Sequence, residues 1–235
     1  MKTSPPIKQA MVLAAGYGKR LRPLTNHTPK PLIPIRGRPL LDYVLTQLQQ
    51  AGIDKIVVNT HHLATQIHDY LRAYPSVIIS HEEMLLDTGG GVAKALPHFQ
   101  EQPFVLINAD TYWQDTAVTA IQQLREQWDE IKMDALLLLV RRPTDASVPG
   151  DYFLESTGRL IYRGQQSIAP YIYPGLAILR PRLFEGVPSG PFKIVDVCFH
   201  KAQAQGRLYG HVHQGFWADV GTHESLQALQ THETA

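Results

Sequence analysis

The sequence predicts an α/β fold built on a mixed, mostly parallel sheet, and three observations carry that expectation. Apolar runs of strand length alternate with longer segments of helical period through the first two thirds of the chain. After Val140 the pattern changes to short strands separated by turns. The chain has 235 residues, 44% of them apolar, which supplies the core of one large α/β domain or two small ones.

Taken in order, strands are expected at "AMVLAA", "KIVVNT", "SVIIS", "FVLINA" and "DALLLLV". Helices are expected at "LLDYVLTQLQQAG", "ATQIHDYLRAY", "GGVAKALPHF" and "TAVTAIQQLREQW". In the first helix Leu41, Val44, Leu45 and Leu48 share one face, and Gly52 follows where a C-terminal cap belongs. Beyond Val140, "DYFLES", "RLIYRG", "YIYPGLAILR" and "RLYGHVHQG" read as short strands, with helices at "DVCFHKAQAQG" and "HESLQALQTH". The loop "RRPTDASVPGD" is too short to separate independent domains. One domain over 1–235 is therefore expected, with a β-rich second lobe from about residue 141.

Charge narrows the function classes. With 22 basic and 21 acidic residues the chain has no global field that would draw it to nucleic acid or an anionic membrane, so any anion must be bound locally. The single cysteine, Cys198, excludes an intramolecular disulfide and reads as core. The start lacks the apolar segment of a secretory signal, and no apolar run reaches the length of a membrane-spanning helix. A cytoplasmic protein is expected.

Local anion binding has a candidate in "LAAGYGKRLRPLTNHTPKP", residues 13–31. Gly16 and Gly18 follow the first strand, where an open α/β sheet places its ligands and where bare backbone lets N–H groups approach a phosphate. Two glycines alone fit a tight turn equally well. The dinucleotide fingerprint fails at Leu21 and the P-loop fails at Arg20. Pro23, Pro29, Pro31 and Pro34 are expected to hold the segment as a stiff, extended loop, on which Arg20, Arg22 and Lys30 form a polyphosphate cradle.

The same stretch, continued as "LIPI", resembles the signature of the sugar-1-phosphate nucleotidylyltransferases, whose pattern is approximately L-A-A-G-x-G-x-R-L-x-P-L-T followed by P-K-P. The resemblance implies a Rossmann-like nucleotidyltransferase fold of three α/β/α layers, with nucleotide bound by about 1–140 and sugar by about 141–235. It implies that Arg20 stabilises the pyrophosphate leaving group and that Lys30 binds the reacting phosphates. Leu13 and Ala14, with Gly89 and Gly90 of "DTGGG", would hold the nucleobase.

Joining two phosphates requires that repulsion between anions be overcome, and a divalent cation held by carboxylates does this. Asp110 closes "FVLINAD", and Asp219 stands in "FWADVGT" before Thr222, a candidate cap for the last helix. In the family, aspartates at these two places hold Mg²⁺. On the acceptor side the resemblance points to Gly175 in "YPGLAIL", although Pro174 departs from the pattern. The E-K-P lysine of many relatives is missing, leaving Arg163 or Lys193 as the cation and Asp151 as a partner for sugar hydroxyls.

His61 with His62 and His211 with His213 lack a third metal ligand and read as surface residues. The compact form, with "HTPKPLIP", "GPFK" and "GFWADVGT", resembles most the N-acetylmuramate 1-phosphate uridylyltransferases of peptidoglycan recycling. UTP and a sugar 1-phosphate are thus the expected partners of a monomer or homodimer. Mannose-1-phosphate guanylyltransferase and glucose-1-phosphate uridylyl- or thymidylyltransferase are the alternatives within the family. A non-catalytic nucleotide-sugar sensor is the alternative of another class.

Overall fold

The computed structural model describes residues 7–115, 118–144, 146 and 148–231. Its strands are β1 (Gln9–Leu13), β2 (Pro34–Ile35), β3 (Arg38–Pro39), β4 (Lys55–Thr60), β5 (Val77–His81), β6 (Phe104–Asn108) and β7 (Thr111–Gln114). They continue with β8 (Ala135–Arg141), β9 (Tyr152–Leu154), β10 (Leu160–Tyr162), β11 (Tyr171–Ile172), β12 (Leu176–Leu179), β13 (Leu208–Val212) and β14 (Phe216–Asp219). The helices are α1 (Leu40–Gln50), α2 (Ala64–Leu71), α3 (Asp87–Ala95), α4 (Ala120–Gln127), α5 (His200–Ala204) and α6 (His223–Thr231). No described helix is long and apolar enough to cross a membrane.

The central sheet runs β5-β4-β1-β6-β12-β8, with β13 on the other side of β8. Among the described residues every strand of this block but β12 points the same way, so their carboxyl ends share one edge. The strands are apolar on both faces because helices cover both. Ala10 and Val12 face a core layer holding Leu41, Leu45 and Leu48 of α1, Ile67 of α2 and Leu124 of α4. Met11 faces the opposite layer, with Val92 and Ala95 of α3 and Ala202 of α5. This is the three-layer α/β/α arrangement. The antiparallel strands β11, β9 and β10 extend the sheet beyond β8 as the β-rich lobe.

Several local expectations hold for the reasons that suggested them. Gly52 lies at φ 67° just past α1, and the N–H of Gly52 and Ile53 donate to the Gln49 and Leu48 carbonyls at 2.9 and 3.0 Å. Thr222 Oγ1 accepts the Ser225 N–H at 3.2 Å and so caps α6. Cys198 is fully buried, and burial pushes its thiol up to about 12.

Others change. The proline-rich stretch is not extended: it coils into three 3₁₀ turns, Lys19–Leu21, Leu24–Asn26 and Lys30–Leu32. Proline has no N–H to lose in the first turn of a helix, so Pro31 sits inside such a turn as readily as in extended chain. The fourth expected helix begins at Ala120, capped by Thr119 Oγ1, which accepts the Gln122 N–H; residues 116 and 117 of that segment lie outside the described residues. "YIYPGLAILR" is two strands. β8 pairs with β12 through Ala135–Leu137 and with β11 through Val140 and Arg141, and Tyr173, Pro174 and Gly175 bulge out between them.

Candidate active site

Two clefts open along the carboxyl edge of the sheet and meet at Arg20, Asn108 and Asp110. The first, about 410 Å³, lies against the loop leaving β1 and contains Leu13, Ala14, Gly16, Gly18, Lys19 and Lys30. The second, about 900 Å³, is walled by Tyr173, Phe216 and Trp217 and by Arg141. One is lined by backbone and cations, the other by aromatic rings.

The β1 loop takes its shape from residues distant in sequence. The Ala14 N–H donates to Asn59 Oδ1 at 2.7 Å, and Asn59 Nδ2 donates to Glu82 Oε1 at 2.7 Å. The second Glu82 oxygen accepts the Leu86 N–H at 2.9 Å, so this nearly fully buried pair joins the β1 loop to the start of α3. Tyr17 packs edge-on against His61 and tilted against His62, and His62 Nε2 lies 2.8 Å from the Thr25 carbonyl oxygen. His61 and His62 are therefore half-buried buttresses of the loop rather than surface residues.

The two glycines of the loop differ in role. Gly18 adopts φ +61°, and a Cβ there would meet Thr25 Cγ2 at 2.8 Å and Lys30 Cβ at 3.1 Å, so the fold itself demands glycine. A Cβ on Gly16 would meet nothing within 4 Å, so the missing side chain leaves that space open to the cleft.

Lys30 is buried and forms an ion pair with Asp110; their side chains are 9% and 28% exposed. Asp110 is placed by the end of β6, where the Ala109 N–H donates to the Leu13 carbonyl at 3.0 Å. β14 pairs antiparallel with β7, setting Asp219 opposite Thr111, and the Val220 N–H donates to the Asp110 carbonyl at 3.3 Å. The backbones at Asp110 and Asp219 thus adjoin at one rim; the Asp219 side chain lies outside the described residues. Stacking of Trp113 on Trp217, centroids 5.1 Å apart, reinforces the pairing.

The remaining sequence-predicted residues divide. Gly175 is buried behind the junction residue Asn108 and lines neither cleft: it has φ +95°, its carbonyl accepts the Asn108 N–H at 3.0 Å, and a Cβ would meet Asn108 Cγ at 2.6 Å. Gly89 and Gly90 are buried outside the lining. Their N–H groups donate to the Phe192 carbonyl at 2.8 and 3.3 Å, and Leu85, Asp87 and Thr88 line the cleft beside them. Lys193 is exposed and lines neither cleft.

Asp151 is one step behind the second cleft. Burial pushes its carboxyl up, against the hydrogen bond that Oδ2 accepts from the Tyr173 N–H at 2.9 Å and the charge of Arg163. The Arg163 guanidinium donates to the Gly150 and Gln166 carbonyls at 3.0 and 2.8 Å. His213, expected at the surface, is only 5% exposed, and burial lowers its basicity. Among the described residues no group of three or more His, Cys, Asp or Glu could hold a metal by itself.

Asn59, Glu82, Asn108 and Arg141 were not anticipated. Asn59 follows the apolar run of β4, one residue before its end, as Asp110 follows that of β6, and this is the one local signal that could have found it.

The chain is 35% identical over 232 residues to an N-acetylmuramate alpha-1-phosphate uridylyltransferase of Caulobacter vibrioides, covering 95% of this chain and 96% of that one. It is 38% identical over 229 residues to a protein of the same name from Neisseria meningitidis serogroup B, covering 94% and 96%. A solved UDP-glucose pyrophosphorylase complexed with UDP-glucose superposes with a TM-score of 0.79 at 19% identity, over 95% of this chain and 97% of that one, a likeness of fold. The family model described as nucleotidyl transferase matches residues 9–146, the span that contains the β1 loop, Lys30 and Asp110, and the chain belongs to that family.

Proposed function

We propose that this protein joins UTP and N-acetylmuramate 1-phosphate, giving UDP-N-acetylmuramate and pyrophosphate as a salvage step of peptidoglycan recycling in the cytoplasm. The observation that carries the reading is the meeting of the two clefts at Arg20, Asn108 and Asp110, which suits a reaction between two ligands, one in each cleft. The two relatives named above as uridylyltransferases support the choice of substrates.

An oxygen of the sugar phosphate attacks the α-phosphorus of the nucleotide, forming a new P–O bond while the bond to the β-phosphate breaks and pyrophosphate departs. The nucleophile is already an anion, so no general base is needed, and catalysis comes from alignment and charge neutralisation. Arg20 lines both clefts and takes the leaving pyrophosphate; Lys30, buried beside Asp110, takes the reacting phosphate. Leu13, Ala14 and the open face of Gly16 take the nucleotide. Gly175 lets Asn108 approach the acceptor side, and Asp151 holds Tyr173 in the cleft wall.

The donor set fits Mg²⁺: a hard carboxylate at the cleft junction, Asp110, adjoins the backbone of a second aspartate, Asp219, and Mg²⁺ is held by one or two carboxylates plus substrate phosphates. Bound there, Mg²⁺ supplies positive charge to the phosphate oxygens. Asp110 keeps Lys30 in place in either case.

The test is pyrophosphate release with Mg²⁺ across UTP, GTP, dTTP and CTP against the 1-phosphates of N-acetylmuramate, N-acetylglucosamine, glucose and mannose. Release confined to UTP with N-acetylmuramate 1-phosphate is the expected result. Release with a different pair would keep the chemistry and replace the substrates. Nucleotide-sugar binding without release from any pair would identify a sensor.

A further inference from the structure

The acceptor cleft contains a cation that the reaction as written does not use. Arg141 is the last residue of β8, is exposed, and lines the second cleft. Its guanidinium lies over the Tyr171 ring, 5.7 Å from the centroid, and has no hydrogen bond or carboxylate partner among the described residues. A planar guanidinium seated on a ring keeps its N–H fork free for a bidentate anion.

The neighbouring basic residues are occupied or elsewhere. Arg142 turns back on its own loop, donating to the Val148 carbonyl at 2.6 Å and the Pro143 carbonyl at 3.0 Å. Arg163 is spent on the Gly150 and Gln166 carbonyls, and Lys193 lines neither cleft. Arg20 stands at the junction, on the phosphate side.

Register places Arg141 relative to the chemistry. Leu106 of β6 and Leu137 of β8 both lie opposite Ala177 of β12, so they are level. Asp110 and Arg141 each follow four residues later. β6 and β8 are two strand spacings apart, roughly 10 Å. An acceptor whose 1-phosphate lies at Asp110 therefore presents its ring substituents to Arg141.

We propose that Arg141 is the specificity-determining cation of the acceptor cleft, and that it holds a carboxylate carried on the acceptor sugar ring. This rests on the reading that the acceptor is an acidic sugar 1-phosphate. A neutral sugar leaves the fork unused, so the carboxylate-bearing sugar is preferred through binding rather than through the chemical step.

The test is a thermodynamic cycle on product binding, in which the shared UDP anchors both ligands. Dissociation constants of UDP-N-acetylmuramate and UDP-N-acetylglucosamine, which lacks the carboxylate, are measured by calorimetry for the wild type, Arg141→Gln and Arg141→Lys. In the wild type the acidic ligand binds more tightly. Arg141→Gln weakens it by about tenfold or more, a charged hydrogen-bonded pair being lost, and moves the neutral ligand less than twofold. Arg141→Lys recovers part of the loss. Equal weakening of both ligands would put Arg141 on the pyrophosphate or in the fold and overturn the proposal, as would no change in either. A wild type that binds both ligands equally, and turns over only a neutral acceptor, would overturn the acceptor reading and this proposal with it.

Discussion

Asn59 is the residue whose removal tests most directly how the first cleft is built. It is 2% exposed and makes two hydrogen bonds of 2.7 Å, accepting from the Ala14 N–H and donating to Glu82, itself 1% exposed. Asn59→Ala leaves a buried N–H without an acceptor and a buried carboxyl oxygen short of a donor. Each such loss costs about 1–3 kcal/mol, so the variant is expected to lose about 2–6 kcal/mol. For a domain of this size that lowers Tm by roughly 4–24 °C.

The cost extends to function, because Ala14 anchors the loop that lines the first cleft. Well below Tm, KM for UTP should rise by about tenfold, the value of one positioned hydrogen bond. Asn59→Asp sharpens the test. It keeps an acceptor for Ala14 but turns a second carboxylate toward Glu82, so it should be at least as destabilised as Asn59→Ala at pH 8 and recover as the pH falls and a proton is shared. Thermal melts at several pH values and steady-state KM for UTP provide both readouts. A Tm within about 2 °C of wild type for Asn59→Ala, or an unchanged KM, would refute the account of how Asn59 shapes the loop.

Lys30→Ala removes the partner of Asp110 and, in the proposed reaction, the cation on the reacting phosphate; kcat is expected to fall by about 10²–10³ with an unchanged far-UV CD spectrum, and a loss of less than threefold would exclude the role. Gly175→Ala introduces a Cβ against Asn108 at φ +95°, so it should raise KM for the sugar phosphate more than KM for UTP and cost about 1–3 kcal/mol of stability, read in urea titrations. Asp151 is predominantly a pH effect: because burial raises its folded pKa, its contribution to stability is fully present below the unfolded value near 3.8 and is lost as pH rises through the folded value. Asp151→Asn keeps the acceptor for the Tyr173 N–H and should abolish that slope, so parallel stability–pH curves for the two proteins would rule this out.

What could be read in the residues was whatever lies contiguous in them. Alternation of apolar runs with helical period marked the central strands because a strand covered on both faces must be apolar along its length, as Ala10 to Val12 are. Gly16, Gly18, Arg20 and Lys30 stood out because glycines and cations fall together in one segment after β1, and Asp110 because an apolar strand ends in a polar residue beside it. The proline run misled, since a fixed φ suits a 3₁₀ turn as well as an extended chain.

Whether a glycine faces a ligand or the protein is a different kind of question. Gly16 looks into open space and Gly89 packs against Phe192, more than a hundred positions away, and nothing beside either glycine distinguishes them. The same holds for the Asn59–Glu82 pair, for β7 against β14, and for the freedom of Arg141 when adjacent Arg142 is tied to its own loop. The sequence by itself determined the alternation of strands and helices and singled out Gly16, Gly18, Lys30 and Asp110, because local periodicity and residue chemistry act within a few residues. Only the tertiary structure decided which backbone donors are already satisfied, where the two clefts meet and that the Arg141 guanidinium beside the second cleft rests on a ring while Arg142 is tied to its own loop, because those depend on hydrogen bonds and packing between segments that the sheet brings together.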